Sequence, residues 1–133
     1  MTGHNIFAGA FVDRSGHRRR DTAWLDAALN RDDTVFVPVW GDRCLASGEP
    51  HHTVLLQRDD LAAFSSATPV FLGMYRDGPA FAIGIDAAVD APFADRGEFH
   101  DLRYLGSVLP ADEANLVAHA RALVLWHQAQ KFC

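Results

Sequence analysis

Two spacings of apolar positions organise the chain, one of three and four residues and one of two, and they mark out its elements. In DTAWLDAALN, residues 21–30, Trp24, Leu25, Ala28 and Leu29 recur at three- and four-residue steps. That pattern predicts a short helix with Asp21 as N-cap, broken by Asn30, Asp32 and Asp33. TVFVPVW, residues 34–40, is β-branched and aromatic and reads as a strand. Pro38 has no backbone N–H to donate, so that strand is expected at a sheet edge or a bulge. Gly41-Asp42 turns the chain into a second strand at 43–46, SGEPHH forms a loop at 47–52, and TVLLQ gives a third strand at 53–57. RDDLAAF comes next as one or two helical turns capped by Asp59 or Asp60. In PVFLGMYRDGPAFAIGID the apolar runs 70–75 and 80–85 flank Arg76-Asp77-Gly78, and the Asp-Gly pair predicts a hairpin turn. A polar connection, DAPFADRGEFHD, leads to DLRYL at 101–105, read as one more short strand.

The last element carries the strongest signal. Pro110 fits a first helical turn, where its missing N–H costs nothing, and Asp112 and Glu113 favour the positive end of a helix dipole. Leu116, Ala120, Leu123 and His127 then fall on one stripe with Val117 and Val124 beside it, and nothing breaks the helix before Lys131. The predicted fold class is α+β: a mostly antiparallel or mixed β-sheet with flanking helices and a long C-terminal helix.

Composition narrows the function. A chain of 133 residues with 49% apolar and 22% charged residues has the makeup of one ordinary globular domain. At that size it buries roughly two thirds of its unfolded surface and needs no disulfide or metal staple. A formal charge of −5 argues against a dedicated nucleic-acid or membrane surface; HRRR at 17–20 is flanked by Asp13 and Asp21 and reads as a locally neutralised loop. No apolar run is long enough for a membrane span, and the first residues lack the basic and apolar regions of a signal peptide. Two cysteines, Cys44 and Cys133, are too few for a disulfide framework, so a reducing, cytoplasmic setting is the expectation.

The candidate chemistry is sparse. Glu49, His51 and His52 lie close together with Cys44 upstream, but adjacent histidines on an extended segment point to opposite sides and rarely share one ion. His119 and His127 are two helical turns apart, too far for one zinc, and His119 reads as a boundary residue. Cys44, in an apolar strand, reads as a buried inert thiol. Ser65-Ser66 sits at a helix end rather than on a nucleophile elbow, and no phosphate-binding glycine loop occurs. Only three glutamates are present, Glu49, Glu98 and Glu113, and no two are close in sequence; a magnesium-dependent phosphoryl site needs clustered carboxylates. Taken by itself, the chain reads as a non-catalyst.

ARALVLWHQAQKFC, residues 120–133, resembles the junction between the N-terminal domain and the zinc ribbon in NAD(H) pyrophosphatases of the Nudix superfamily. There a helix with Ala-x-x-Leu and Trp-His leads into Phe-Cys-x-x-Cys-Gly, and Ala120, Leu123, Trp126, His127, Phe132 and Cys133 match. Upstream, VDRSGHRRRDTAWL resembles the family's early segment through Asp13, Arg14, Arg20 or a neighbouring arginine, Trp24 and Leu25. VFVPVW, the Leu-Gly…Gly…Phe-Ala hairpin, the FHDLR segment and the helix start at Glu113-Ala114 occur in the family's order.

The resemblance implies a catalytically empty Nudix-like N-terminal domain over residues 1–132, with Cys133 opening a zinc ribbon that is not included. It implies a parent enzyme that splits NADH or NAD into nicotinamide mononucleotide and AMP and removes NAD caps from RNA. That parent would use zinc in the ribbon and magnesium or manganese at a Gly-x5-Glu-x7-Arg-Glu-x-x-Glu-Glu box, which is absent here. No cofactor is expected in this chain by itself. Carried over by residue, Cys133 would be one ligand of an incomplete zinc site and Arg103 a substrate contact, since a guanidinium suits phosphate or carboxylate geometry. Trp126 and His127 would fix the helix against the sheet or against the partner of a homodimer. The alternative is a stand-alone module that binds a small molecule or protein, or dimerises, without catalysis.

Overall fold

The computed structural model describes residues 12–13, 22–60, 68–88, 90 and 92–130. In chain order the elements are β1 (Val12–Asp13), α1 (Thr22–Leu29), β2 (Val35–Trp40), β3 (Arg43–Ser47), β4 (His52–Thr53), β5 (Val70–Tyr75), β6 (Gly78–Ile85), β7 (Glu98–His100), α2 (Leu102–Val108) and α3 (Ala111–Gln130). The strands form one mixed sheet in the order β1-β5-β6-β2-β3-β4, and β7 pairs with β3. Only β2 and β6 run parallel, from Val35↔Ala80 to Trp40↔Ile85; the other pairs are antiparallel. The expected α+β architecture with a long final helix is therefore present.

Helices cover both faces of the sheet, which explains why its central strands read as continuous apolar runs. Val37, Val39, Leu72, Ala80 and Ala82 face α3 and meet Leu116, Val117, Ala120 and Val124 there. Phe36, Phe71, Phe81, Ile83 and Ile85 face the other way and pack with Ala28 of α1, Trp24 and Leu25 alongside. Burying each Leu or Val of the α3 stripe contributes about 1.5–3 kcal/mol. The helix lies close because β6 offers Gly84 beneath it. A Cβ there would stand 2.9 Å from Val124 Cγ1 and 3.2 Å from Gln128 Nε2.

Pro38 is not at an edge. It sits inside β2, between β6 and β3. Phe36 exchanges both backbone hydrogen bonds with Leu56, at 2.9 Å each, on the side away from β6. Because strand backbone groups alternate, Pro38 would also donate to that side. There β2 and β3 pair at only two positions, Val39↔Cys44 and Trp40↔Arg43. The Leu45 carbonyl beyond them already accepts from Val54 N at 3.1 Å. A proline is tolerated in this central strand because no acceptor is left waiting for its N–H.

Three other expectations change. The third strand shrinks to β4 and an isolated bridge at Leu56, because the chain there leaves β3 and crosses to β2. DLRYL is helical, not extended: Asp101 caps α2, its side chain accepting from Tyr104 N at 2.9 Å, and the strand β7 ends just before it. The β5–β6 turn is Arg76-Asp77 alone, with Tyr75 paired to Gly78 inside the ladder. Residues 58–60 form a 3-10 turn in which Asp60 accepts from Gln57 N at 2.9 Å; the rest of the helix expected there lies outside the described residues.

A bulge in β5 decides which face Tyr75 takes. The register moves by one residue between Phe71↔Phe81 and Gly73↔Ala80, with Gly73 at φ 124°. The extra residue reverses the alternation. Tyr75, which would otherwise share the α1 side with Phe71, instead lies on the α3 side.

Candidate functional site

Polar side chains gather where the β5–β6 hairpin and β4 meet the first turn of α3. Asp112 accepts from the Tyr75 hydroxyl at 3.1 Å and from the Arg76 guanidinium. Glu113, only 5% exposed, accepts from Thr53 N at 2.6 Å and lies 3.0 Å from His52 Nδ1. Both carboxylates occupy the N-terminal turn of a twenty-residue helix, where the macrodipole favours negative charge. Burial pushes the Asp112 carboxyl up, but hydrogen bonds from Arg76 and Tyr75 and the Arg76 charge outweigh it and hold it below the usual carboxylate value. Burial and then the Asp112 charge push the Tyr75 hydroxyl up, against the opposing effect of Arg76, so it stays protonated and donates.

This pair makes stability depend on pH. Because the folded-state pKa of Asp112 is depressed, its stabilisation is present above the unfolded value and is lost as pH falls through the folded one. Asp112→Asn should cost about 1 kcal/mol at neutral pH. The gap to the unsubstituted chain should narrow as pH falls below the ordinary carboxylate value and through the depressed folded one. Urea titrations at pH 7 and pH 2.5 check this, and a gap of equal size at both would refute the ion-pair account.

A second cluster lies beside the first, centred on the residue before His52. His51, in the loop before β4, His100, at the end of β7, and Tyr104, in the first turn of α2, pack ring against ring. Ring centres are 5.9 Å apart for His51 and His100, 5.5 Å for His51 and Tyr104, and 4.6 Å for His100 and Tyr104. The Tyr104 hydroxyl is 3.2 Å from His51 Nε2, and His51 Nδ1 faces Glu49 Oε1 at 3.9 Å. The adjacent histidines meet different helices, His51 contacting Tyr104 of α2 and His52 Glu113 of α3, although His51 is in a turn and both helices lie on one face of the sheet. Glu49, His51 and His52 therefore do not converge on one point. Among the described residues, no three His, Cys, Asp or Glu side chains do.

The remaining sequence candidates scatter. Arg103, in the first turn of α2, is exposed, with no ion pair or side-chain hydrogen bond among the described residues. Cys44 is buried, its Sγ 3.8 Å from the Val117 carbonyl, and burial pushes the thiol up to about 12, with Asp42 adding to the shift and Arg121 opposing it. It is an inert core thiol. His119 and His127 are half-buried on α3. Trp126 is 60% exposed, so it does not fasten the helix to the sheet. Cys133, HRRR at 17–20 and Ser65-Ser66 lie outside the described residues.

Among the described residues the carboxylates do not build a magnesium site. Glu113 is committed to Thr53 and His52, while Glu49 and Glu98 are exposed on separate elements. A shallow depression of about 250 Å³ lined by Arg31, Asp32, Gln57, Arg58 and Asp59 offers no free cation pair either. Its arginines are tied to Asp33 and to Asn30.

Sequence reasoning missed Tyr75, His100 and Tyr104. His100 and Tyr104 are four apart across a strand–helix junction, a spacing with no signature of its own, and Tyr75 reaches α3 only through the bulge.

Comparison with known families agrees with this catalytically spare architecture. Residues 33–126, more than two thirds of the chain, match the family described as NUDIX-like, the NADH pyrophosphatase-like rudimentary NUDIX domain. The match runs from the approach to β2 through the strands β2–β7, α2 and most of α3. With the family covering that much of the fold, the chain belongs to the NADH pyrophosphatase-like rudimentary NUDIX domains.

Proposed function

We propose that this chain is the non-catalytic N-terminal domain of an NADH/NAD pyrophosphatase, and that the chemistry resides in a Nudix domain elsewhere in a longer protein. The family match over residues 33–126 carries this reading. In it, residues 1–132 form the domain, Cys133 begins a zinc ribbon, and the parent hydrolyses NAD(H), free or as an RNA cap, in the cytoplasm as a homodimer. Magnesium or manganese would be held by the parent's own carboxylate box, because Glu49, Glu98 and Glu113 do not come together here. Among the described residues no helix is long and apolar enough to cross a membrane, which accords with that setting.

Arg103 is the residue of this domain assigned to substrate. Its exposed guanidinium, bound to no carboxylate among the described residues, is available to a phosphate or carboxylate. Trp126, exposed on α3, is available to a partner subunit in the same way.

Two measurements test the reading. The 133-residue chain, supplied with magnesium or manganese, should not hydrolyse NADH. In the longer protein, Arg103→Ala should raise KM for NADH about tenfold with kcat little changed, the loss of one charge-assisted contact worth about 1.4 kcal/mol. Hydrolysis by the isolated chain would overturn the first claim, and an unaltered KM the second.

A further inference from the structure

We propose that the corner formed by the loop before β4, the end of β7 and the start of α2 is a transition-metal site. It would take one zinc-class divalent ion through His51 Nε2, the His100 imidazole and the Tyr104 hydroxyl. The proposal does not depend on the pyrophosphatase reading, and its ligands do not include Cys133.

The spacing is that of ligands around one small ion. Zinc holds imidazole nitrogen and oxygen donors at about 2.0–2.2 Å, so two donors on neighbouring corners of a tetrahedron lie about 3.3 Å apart. His51 Nε2 and Tyr104 Oη are 3.2 Å apart. An imidazole bound at that distance has its ring centre roughly 3.2 Å from the ion, so two such rings on neighbouring corners of a tetrahedron have centres about 5.2 Å apart. The His51 and His100 centres are 5.9 Å apart, so the two rings draw together by about 0.7 Å on the ion.

The surroundings support the assignment. The second ring nitrogen of His51 faces the exposed Glu49 carboxylate at 3.9 Å, close enough for that side chain to swing in as an outer-shell partner. The His51 side chain is only 16% exposed, so its position is held by packing. Tyr104 is 40% exposed, which leaves an open side where water completes a four-coordinate shell. The three donors come from three elements, so the ion would tie together parts of the chain that meet only in the folded state. The ligand set is two imidazoles and a phenol, a combination outside the His, Cys, Asp and Glu trios that fail to converge among the described residues. On binding, the ion replaces the proton shared between Tyr104 and His51, and the phenol proton passes to solvent.

Zinc titration of the chelator-stripped chain, measured by calorimetry, tests the assignment. One ion per chain should bind with an affinity that falls at least tenfold in each of His51→Asn, His100→Gln and Tyr104→Phe, and is unchanged in His52→Asn. Tyr104→Phe keeps the ring packing while removing the donor oxygen, so it separates ligation from folding. Zinc should also shift the imidazole nitrogen resonances of His51 and His100. Absence of zinc binding, undiminished binding by all three variants, or shifts confined to other histidines would each overturn the proposal.

Discussion

Glu113→Ala is expected to lower the unfolding free energy by about 3 kcal/mol, the larger part of it from Thr53 rather than His52. The carboxylate is 5% exposed and accepts from the Thr53 amide at 2.6 Å. Removing it breaks a charge-assisted bond and strands a partly buried N–H, together about 1–3 kcal/mol. Loss of the favourable interaction with the α3 dipole adds a few tenths. His52 contributes less because its side chain is 58% exposed, where solvent screens the pair. His52→Ala should therefore cost under about 1 kcal/mol. Glu113→Gln, which keeps an acceptor for Thr53, should fall between the two. Urea unfolding at neutral pH measures all three. A Glu113→Ala penalty no greater than that of His52→Ala would show that the Thr53 contact contributes nothing and would refute the account.

The elements most legible in the sequence are those whose signals are local. The α3 stripe is readable because Leu116, Val117, Ala120 and Val124 repeat at helical spacing and all face one core. The β5–β6 hairpin is readable because two apolar runs flank a polar pair with turn chemistry. Errors fall where a non-local partner decides, or where a short segment leaves the choice to a single cap. Pro38 looks like an edge residue because a proline normally leaves a ladder acceptor unpaired, but here Val54 has already taken the Leu45 carbonyl. DLRYL carries too few apolar residues for periodicity to choose between strand and helix, and the Asp101 cap decides it.

The candidate sites divide in the same way. His51 and His52 do take different partners, but through a turn and not through strand alternation. Nothing in sequence spacing indicates that Tyr104 and His100 receive the one, or that Glu113, sixty-one residues away, receives the other. Glu113 reads only as a helix-dipole residue, though it is also the tie between α3 and β4. Tyr75 joins Asp112 because one extra residue in β5 reverses the strand's facing, and a single-residue bulge leaves almost no mark in an apolar run.

Gly78 and Asp77 offer the sharpest mutational contrast, since a turn-glycine reading and the structure predict different results. If Gly78 were required by the turn, its role would be a positive φ, and Asp77 would be an ordinary neighbour. Instead both turn residues have positive φ, Arg76 at 48° and Asp77 at 71°, the type I′ geometry that favours glycine at its second position. Gly78 is already in the ladder, and its lack of a side chain serves a close approach. A Cβ there would stand 2.5 Å from the Asp33 carbonyl oxygen, and the atom in the way is backbone. Gly78→Ala should then cost about 2–3 kcal/mol by forcing β6 away from the segment entering β2. Asp77→Gly should gain up to about 1 kcal/mol by relieving a left-handed aspartate, less the added freedom of the unfolded chain. Thermal melts should move in opposite directions, down by about 10 °C for Gly78→Ala and up by a few degrees for Asp77→Gly. A neutral Gly78→Ala would mean that the Asp33 segment yields at little cost, and β6 would then not be held by that contact.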